Sequence, residues 1–217
     1  MMVASESREE YLEAIFKLAG TEAGVTITRL AKELDVAPAS ASEMVARLTK
    51  AGSLARDERG RIALSEMGRL EAVRLVRRHR LSERLLADYL DLPWDLVHEE
   101  ACKFEHVLSD AVEASLAERL GHPLTCPHGR AIPDESGRVP EETSRCLAGL
   151  GPGDRCMIAY VSEERPELLR YLASLGLSPG AKVLVEEVAP FEGPLMILVA
   201  GVRHPLAREV ARVLFVT

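Results

Sequence analysis

Thr26-Ile-Thr-Arg-Leu-Ala-Lys-Glu-Leu-Asp-Val-Ala-Pro-Ala-Ser-Ala-Ser42 decides how the first third of this 217-residue chain folds. Ile27, Leu30, Ala31 and Leu34 fall at helical spacing on one face, behind a threonine able to cap the first turn. Pro38 suits the first turn of the next helix, where its missing N–H costs nothing. That helix runs through Met44, Val45 and Leu48 to Gly52, a C-terminal stop. Two helices joined by so tight a turn make a helix-turn-helix, whose second helix fits the major groove of DNA.

Upstream, Tyr11, Leu12, Ile15, Phe16 and Leu18 predict another helix. Downstream, Ser53-Leu-Ala-Arg56 and Arg61-Ile-Ala-Leu64 flank Asp57-Glu-Arg-Gly60 as a hairpin, the wing of a winged helix-turn-helix over 1–72. Residues 66–122 read as nearly all helix, in pieces 66–91, 94–108 and 109–120 with a break at Pro93. Their broad apolar faces (Leu81, Leu85, Leu86, Leu90; Leu96, Val97, Ala101, Phe104, Val107, Leu108) predict burial against a second chain. Pro and Gly then fill 121–153, a connector. Alternating stretches at 156–161, 182–188, 195–199 and 213–216, with a helix over 166–176, predict a small β barrel with a helical crossover. The fold class is therefore mainly α with a C-terminal small β barrel. The expected domains are 1–72, a helical dimerisation and metal-binding domain over 73–140, and 147–217.

Composition sets the outer bounds. Hydrophobic residues make up 47% and charged residues 28%, the balance of a globular protein. No apolar run approaches the ~20 residues of a membrane span, and the acidic N-terminus lacks the order of a signal peptide, so a cytoplasmic location is expected. Cys102, Cys126, Cys146 and Cys156 show no CxxC spacing and argue against a disulfide framework. The net charge of −7 speaks against a general nucleic-acid binder, and a DNA reader with this balance must keep its positive charge local. Residues 25–62 hold seven Lys/Arg against five Asp/Glu, which is such a locality. Arg29, Ala37, Pro38, Ala39, Ser40, Ser42 and Glu43 sit where bases and the adjoining backbone would be met. Arg47, Lys50, Arg56, Arg59 and Arg61 are placed for phosphates. Glu43 is tolerable there only if it accepts from a base amino group.

The chemistry lies in the second segment. In His98-Glu-Glu-Ala-Cys-Lys-Phe-Glu-His106, His98, Cys102, Glu105 and His106 stand three or four residues apart on one helical face, and His79 and Glu83 form another i, i+4 pair. Singly, such residues are mostly solvated, and His79 belongs to the basic run Arg77-Arg-His-Arg80. Together, imidazole, carboxylate and thiolate suit a first-row transition metal. No HExxH motif or nucleophile–base pair accompanies them, so an enzyme is not expected.

With Arg78-His-Arg-Leu-Ser-Glu-Arg-Leu-Leu86, His98–Ser109 and Cys126-Pro-His-Gly-Arg-Ala-Ile-Pro133, the chain resembles the diphtheria toxin repressor family of iron- and manganese-dependent regulators over nearly its whole length. The resemblance implies a winged helix, a helical dimerisation and metal domain, and an SH3-like domain of the ferrous-transport-associated type. It implies a cytoplasmic homodimer that represses transcription from a palindromic double-stranded operator, with no membrane partner. It also implies two metal sites per chain. Cys102, Glu105 and His106 would form the primary site with Glu10 and Glu13 of the first helix. His79, Glu83 and His98 would form the ancillary site, with Glu164 and Glu167 added from the C-terminal domain. Arg80, Cys126 and Arg130 fall at the family's anion pocket, although Cys126 and Arg130 depart from its usual Ser and Asn. Glu10 is hard and favours Mn(II), whereas Cys102 is softer and favours Fe(II). The balance falls slightly to Mn(II). Metal joining the first helix to the dimerisation helix would narrow the orientations open to the recognition helices. The competing readings are a winged-helix regulator with structural zinc and another effector, and a metal-trafficking protein whose C-terminal domain docks a transporter.

Overall fold

The computed structural model describes residues 2–19, 25–140 and 143–217, residues 2–6 by backbone alone. It divides into two compact units: Met1–Arg78 with Pro133–Val139, and His79–Ile132 with Pro140–Thr217.

The first unit holds α1 (Met2–Ala19), α2 (Ile27–Glu33), α3 (Pro38–Lys50), the hairpin β1 (Leu54–Arg56) and β2 (Ile62–Leu64), and the first half of α4 (Glu66–Asp88). Thr26 caps α2, its Oγ1 accepting from the Arg29 amide at 3.3 Å. Asp35, in the left-handed region at φ 50°, turns the chain toward α3. Ala41, Val45 and Leu48 recur at i, i+4 and i+7 on α3 and enter a core with Leu12, Ile15, Leu30, Leu54 and Ile62. The wing pairs Leu54 with Leu64 and is tied to the start of α2 by the Ile62 amide donating to the Val25 carbonyl at 3.1 Å. Gly68 is required: a Cβ there would lie 2.0 Å from the Ser53 carbonyl oxygen.

The second unit begins at His79, in mid-α4. It continues through α5 (Val97–Phe104), a 3-10 turn over Glu105–Val107, and α6 (Asp110–Arg119). Its sheet comprises β3 (Arg145–Cys146), β4 (Arg155–Val161), β5 (Lys182–Val188), β6 (Leu195–Val199), β7 (Val202–Leu206) and β8 (Leu214–Val216), with α7 (Pro166–Ser174) after β4 and α8 (Arg208–Ala211) before β8. The strand order is β3-β8-β4-β5-β6-β7, antiparallel throughout. Register shifts between Ile158 and Tyr160 and between Val185 and Glu187 bend the sheet around Ile158, Leu169, Leu172, Leu195, Ile197, Leu206 and Leu214. This is the SH3-like domain expected.

The differences from the expected elements have local causes. α4 ends at Asp88 rather than 91, and α5 starts at Val97 rather than 94, because Pro93 and a left-handed Asp91 hold the chain out of helix. The piece expected as 94–108 tightens to 3-10 at Glu105. β7 was not expected: Arg203-His-Pro205 breaks the alternation, and its proline is tolerated because β7 is an edge strand. Among the described residues, no helix is long and apolar enough to cross a membrane.

Candidate metal centre and nucleic-acid interface

α4 and α5 carry the donors, and their spacing decides which ones meet. His79 and Glu83, one turn apart, are both buried, with the His79 Nε2 3.2 Å from Glu83 Oε1. The same Nε2 stands 3.1 Å from Nδ1 of His98 on α5. Glu164, just beyond β4, brings Oε2 to 2.9 Å from that Nδ1. One donor atom from each of His79, Glu83, His98 and Glu164 thus lies within 4.8 Å of all the others. The second expected constellation begins on the far side of the same rings. The Cys102 Sγ is 3.8 Å from His98 Nε2, and Glu105 hydrogen-bonds His79 Nδ1. The 3-10 turn aims Glu105 inward, fully buried, and leaves His106 Nε2 3.5 Å from its other oxygen. His79 therefore joins the two groups, one nitrogen on each side, a role that its place in a basic run concealed.

Charge pairing governs protonation. Burial alone would raise the Glu83 pKa, but the facing His79 charge and hydrogen bonds from His128, His79 and His98 hold it well below the usual carboxylate range. Burial would lower His79, yet Glu83 and hydrogen bonds with Cys102, Glu105 and Glu83 carry it well above the imidazole value. His98 is likewise opposed by burial but pushed up to about 11 by Cys102, Glu164 and Glu83. The Cys102 thiol, although burial raises it, is drawn down to about 7 by His79 and His98. A metal would replace these protons.

The residues fit a metal. Glu83 Oε2 is buried and has no hydrogen-bond partner, while the other oxygen, Oε1, faces His79, His98 and His128. An orphaned carboxylate oxygen in such a place is costly unless something positive meets it. Mixed N, O and S donors at this spacing suit Mn(II), Fe(II) or Zn(II).

Two donors escaped the sequence reading. His128 is fully buried, with Nδ1 3.1 Å from Glu83 Oε1 and Nε2 donating to the Trp94 carbonyl at 3.1 Å. Cys126, expected at the anion pocket, groups with Glu83 and His128; burial, Glu83 and Glu164 raise its thiol well above the usual range. The only signal was a histidine between Pro127 and Gly129 in the quoted Cys126–Pro133 motif. Of the other two anion-pocket residues, Arg80 donates to the Ala131 carbonyl, and Arg130 lies over the Tyr160 ring. Glu167 is 80% exposed in its side chain and faces Arg170 at 3.6 Å, so it is not among the residues gathered here. On α1, Glu10 is exposed, and Glu13 is buried with Oε1 3.1 Å from the Lys17 ammonium.

In the first unit, Ala37, Pro38, Ala39, Ser40, Ser42, Glu43, Arg47 and Lys50 are all exposed along one side of α3, opposite its apolar stripe. Arg59 is exposed at the tip of the wing. Arg29 is half-buried, and Arg61 is held by Asp57 at 2.7 Å, which stiffens the hairpin turn.

Three family models tile the chain: an iron-dependent repressor N-terminal DNA-binding domain over residues 4–59, an iron-dependent repressor metal-binding and dimerisation domain over 65–134, and an FeoA domain over 145–217. The iron-dependent repressor IdeR of Mycobacterium tuberculosis is 35% identical over 95% of this chain and 94% of its own length. The chain belongs to the diphtheria toxin repressor family. Its members are metal-dependent transcriptional repressors and not enzymes. The diphtheria toxin repressor of Corynebacterium diphtheriae is 38% identical over 61% of this chain and 59% of its own. Among solved structures, a manganese-dependent transcriptional repressor in complex with manganese is 32% identical, covers 97% of this chain and 99% of its own, and superposes with a TM-score of 0.91. The manganese regulator SloR follows at 28% identity, 97% of each chain and a TM-score of 0.82.

Proposed function

We propose that this repressor is switched on by Mn(II) or Fe(II), with the balance toward Mn(II), and that its loaded homodimer binds a palindromic operator in the cytoplasm. The observation that carries the reading is the buried Glu83 carboxylate gathered with His79, His98 and Glu164, one oxygen facing the imidazoles and the other without a hydrogen-bond partner. These four hold one ion, with His128 and Cys126 as further donors on the same carboxylate. Cys102, Glu105 and His106 hold a second, with Glu10 and Glu13 as their partners from the first helix. When bound, the metal supplies positive charge that replaces the imidazole and thiol protons. α3 reads base edges through Ala37, Pro38, Ala39, Ser40, Ser42 and Glu43. Arg29, Arg47, Lys50, Arg59 and Arg61 face phosphates.

The test is a fluorescence-anisotropy titration on palindromic DNA recovered by in vitro selection with Mn(II)-loaded protein. It is run with chelator, Mn(II), anaerobic Fe(II) and Zn(II). Affinity that rises with Mn(II) or Fe(II) and falls back with chelator supports the reading. The better metal settles the contest between Glu10 and Cys102. Equal affinity in all four conditions would hand the site to structural zinc and the switch to another effector. Glu105→Gln should abolish the metal response while circular dichroism is unchanged.

A further inference from the structure

Glu164 is the one member of its cluster that comes from the SH3-like domain; His79, Glu83 and His98 come from the helices, and His128, which meets the same Glu83, from the loop before Ile132. Something must fix the sheet against the loop closely enough to keep Glu164 beside His98. Glu164 follows β4 by only three residues, and β4 is gripped by the loop that carries His128. That loop closes on itself, with the Cys126 amide donating to the Arg130 carbonyl and the Gly129 amide to the Cys126 carbonyl, both at 2.9 Å. At φ +90° Gly129 presses on β4 so closely that a Cβ would lie 2.0 Å from the Ala159 carbonyl oxygen and 2.8 Å from the Tyr160 Cα. The Val161 amide donates to the His128 carbonyl at 3.0 Å. His128 thus turns its ring to Glu83 and its backbone to the strand that leads to Glu164. Beside it, the Arg130 guanidinium carbon stands 4.0 Å from the centre of the Tyr160 ring, and Tyr160 stacks on Phe215 of β8 at 4.6 Å and 8°. The contact falls where β4 slips register against β8, between Ile158 and Tyr160, so that the ladder is locally interrupted there.

We propose that the Arg130–Tyr160–Phe215 stack and the side-chain-free approach of Gly129 form a clamp that sets the spacing of Glu164 and His128, so that these residues tune metal affinity without touching metal. The inference rests on the metal-dependent reading. Loosening the stack lets β4 and the loop shift, which separates Glu164 from His98, whereas Cys102, Glu105 and His106 keep their places on and after α5. Positioning groups around a metal are worth about 10–100-fold in affinity.

Trp94 supplies the readout, because it is the only tryptophan in the chain and its ring lies 5.4 Å from that of His128. Full-length protein is titrated with Co(II), a paramagnetic quencher, while Trp94 emission is followed. Amide exchange is recorded separately on metal-free protein. Tyr160→Leu removes the π face, and Arg130→Gln removes the cation. Tyr160→Phe keeps the stack. Expected are a quenching midpoint raised about tenfold in the first two and within about twofold of wild type in Tyr160→Phe, with faster exchange at the Val161 amide in the first two alone. If Tyr160→Leu does not fold, Arg130→Gln carries the test. Unchanged midpoints in folded Tyr160→Leu and Arg130→Gln would overturn the clamp, as would Tyr160→Phe behaving like Tyr160→Leu. A wild type whose Trp94 ignores Co(II) would sink the metal reading itself, and the clamp with it, a result separable from either of those.

Discussion

At the scale of single residues, Glu83 is the test of the centre, since its carboxylate is met by three imidazoles and still has a bare oxygen. Glu83→Gln keeps the shape and removes the charge. It is expected to weaken metal binding by at least about tenfold, measured by calorimetry, with the fold intact. The protonation pattern fixes the sign of the pH dependence. Each donor must lose its proton to hold metal, so affinity rises with pH and is lost as pH falls. With the Cys102 thiol near 7, the steepest loss is expected as pH drops through 7. His98, up at about 11, still carries a proton at neutral pH, so binding there should release it. Titrations in buffers of differing ionisation enthalpy measure that release, and a zero proton count at pH 7.5 would contradict it. Glu43 makes a sharper statement about DNA. A carboxylate only accepts, and the cytosine amino group is the donor it suits in the major groove. In vitro selection should enrich cytosine at one position of each half-site with wild type and lose that preference with Glu43→Ala.

At the scale of elements, most of the chain was legible because its signals are local. The stripe of Ala41, Val45 and Leu48, the Thr26 cap and the glycine turn of the wing each state their structure within a few residues. Thr26→Ala removes an N-cap bond at the head of α2 and should cost about 1 kcal/mol, seen as a lower unfolding midpoint in denaturant. Leu172 on α7 is fully buried, and Leu172→Ala should cost about 2–5 kcal/mol in the same assay. Elements that depend on partners rather than on their own pattern were not legible. β7 is a strand because β6 pairs with it, despite Pro205. The 3-10 turn at Glu105 exists where the helix must tighten to bury that carboxylate.

At the scale of the whole molecule, a chain of net charge −7 can bind an anionic polymer only through a local basic face, and the proposed one uses the exposed Arg47 and Lys50 of α3 and Arg59 of the wing. Operator affinity should fall steeply with salt. Lys50→Gln should lower the slope of log K against log salt by about 0.9 and weaken all sequences alike. A variant that changed sequence preference and left that slope unchanged would show Lys50 to be a base contact.

The sequence by itself determined the winged helix, the helical segment, the SH3-like strands and the residue types of a transition-metal centre. Helical spacing and donor chemistry are written into neighbouring positions. Only the tertiary structure decided which donors meet. It put His79 between two groups, brought Glu164 but not Glu167 to His98, and added His128 and Cys126. Those choices join residues up to 85 positions apart, from His79 to Glu164, and the approach of Glu164 belongs to a strand on which Gly129 and Arg130 of the His128 loop lie closely. No local periodicity encodes such a long-range approach, because it depends on shape on both sides of the contact.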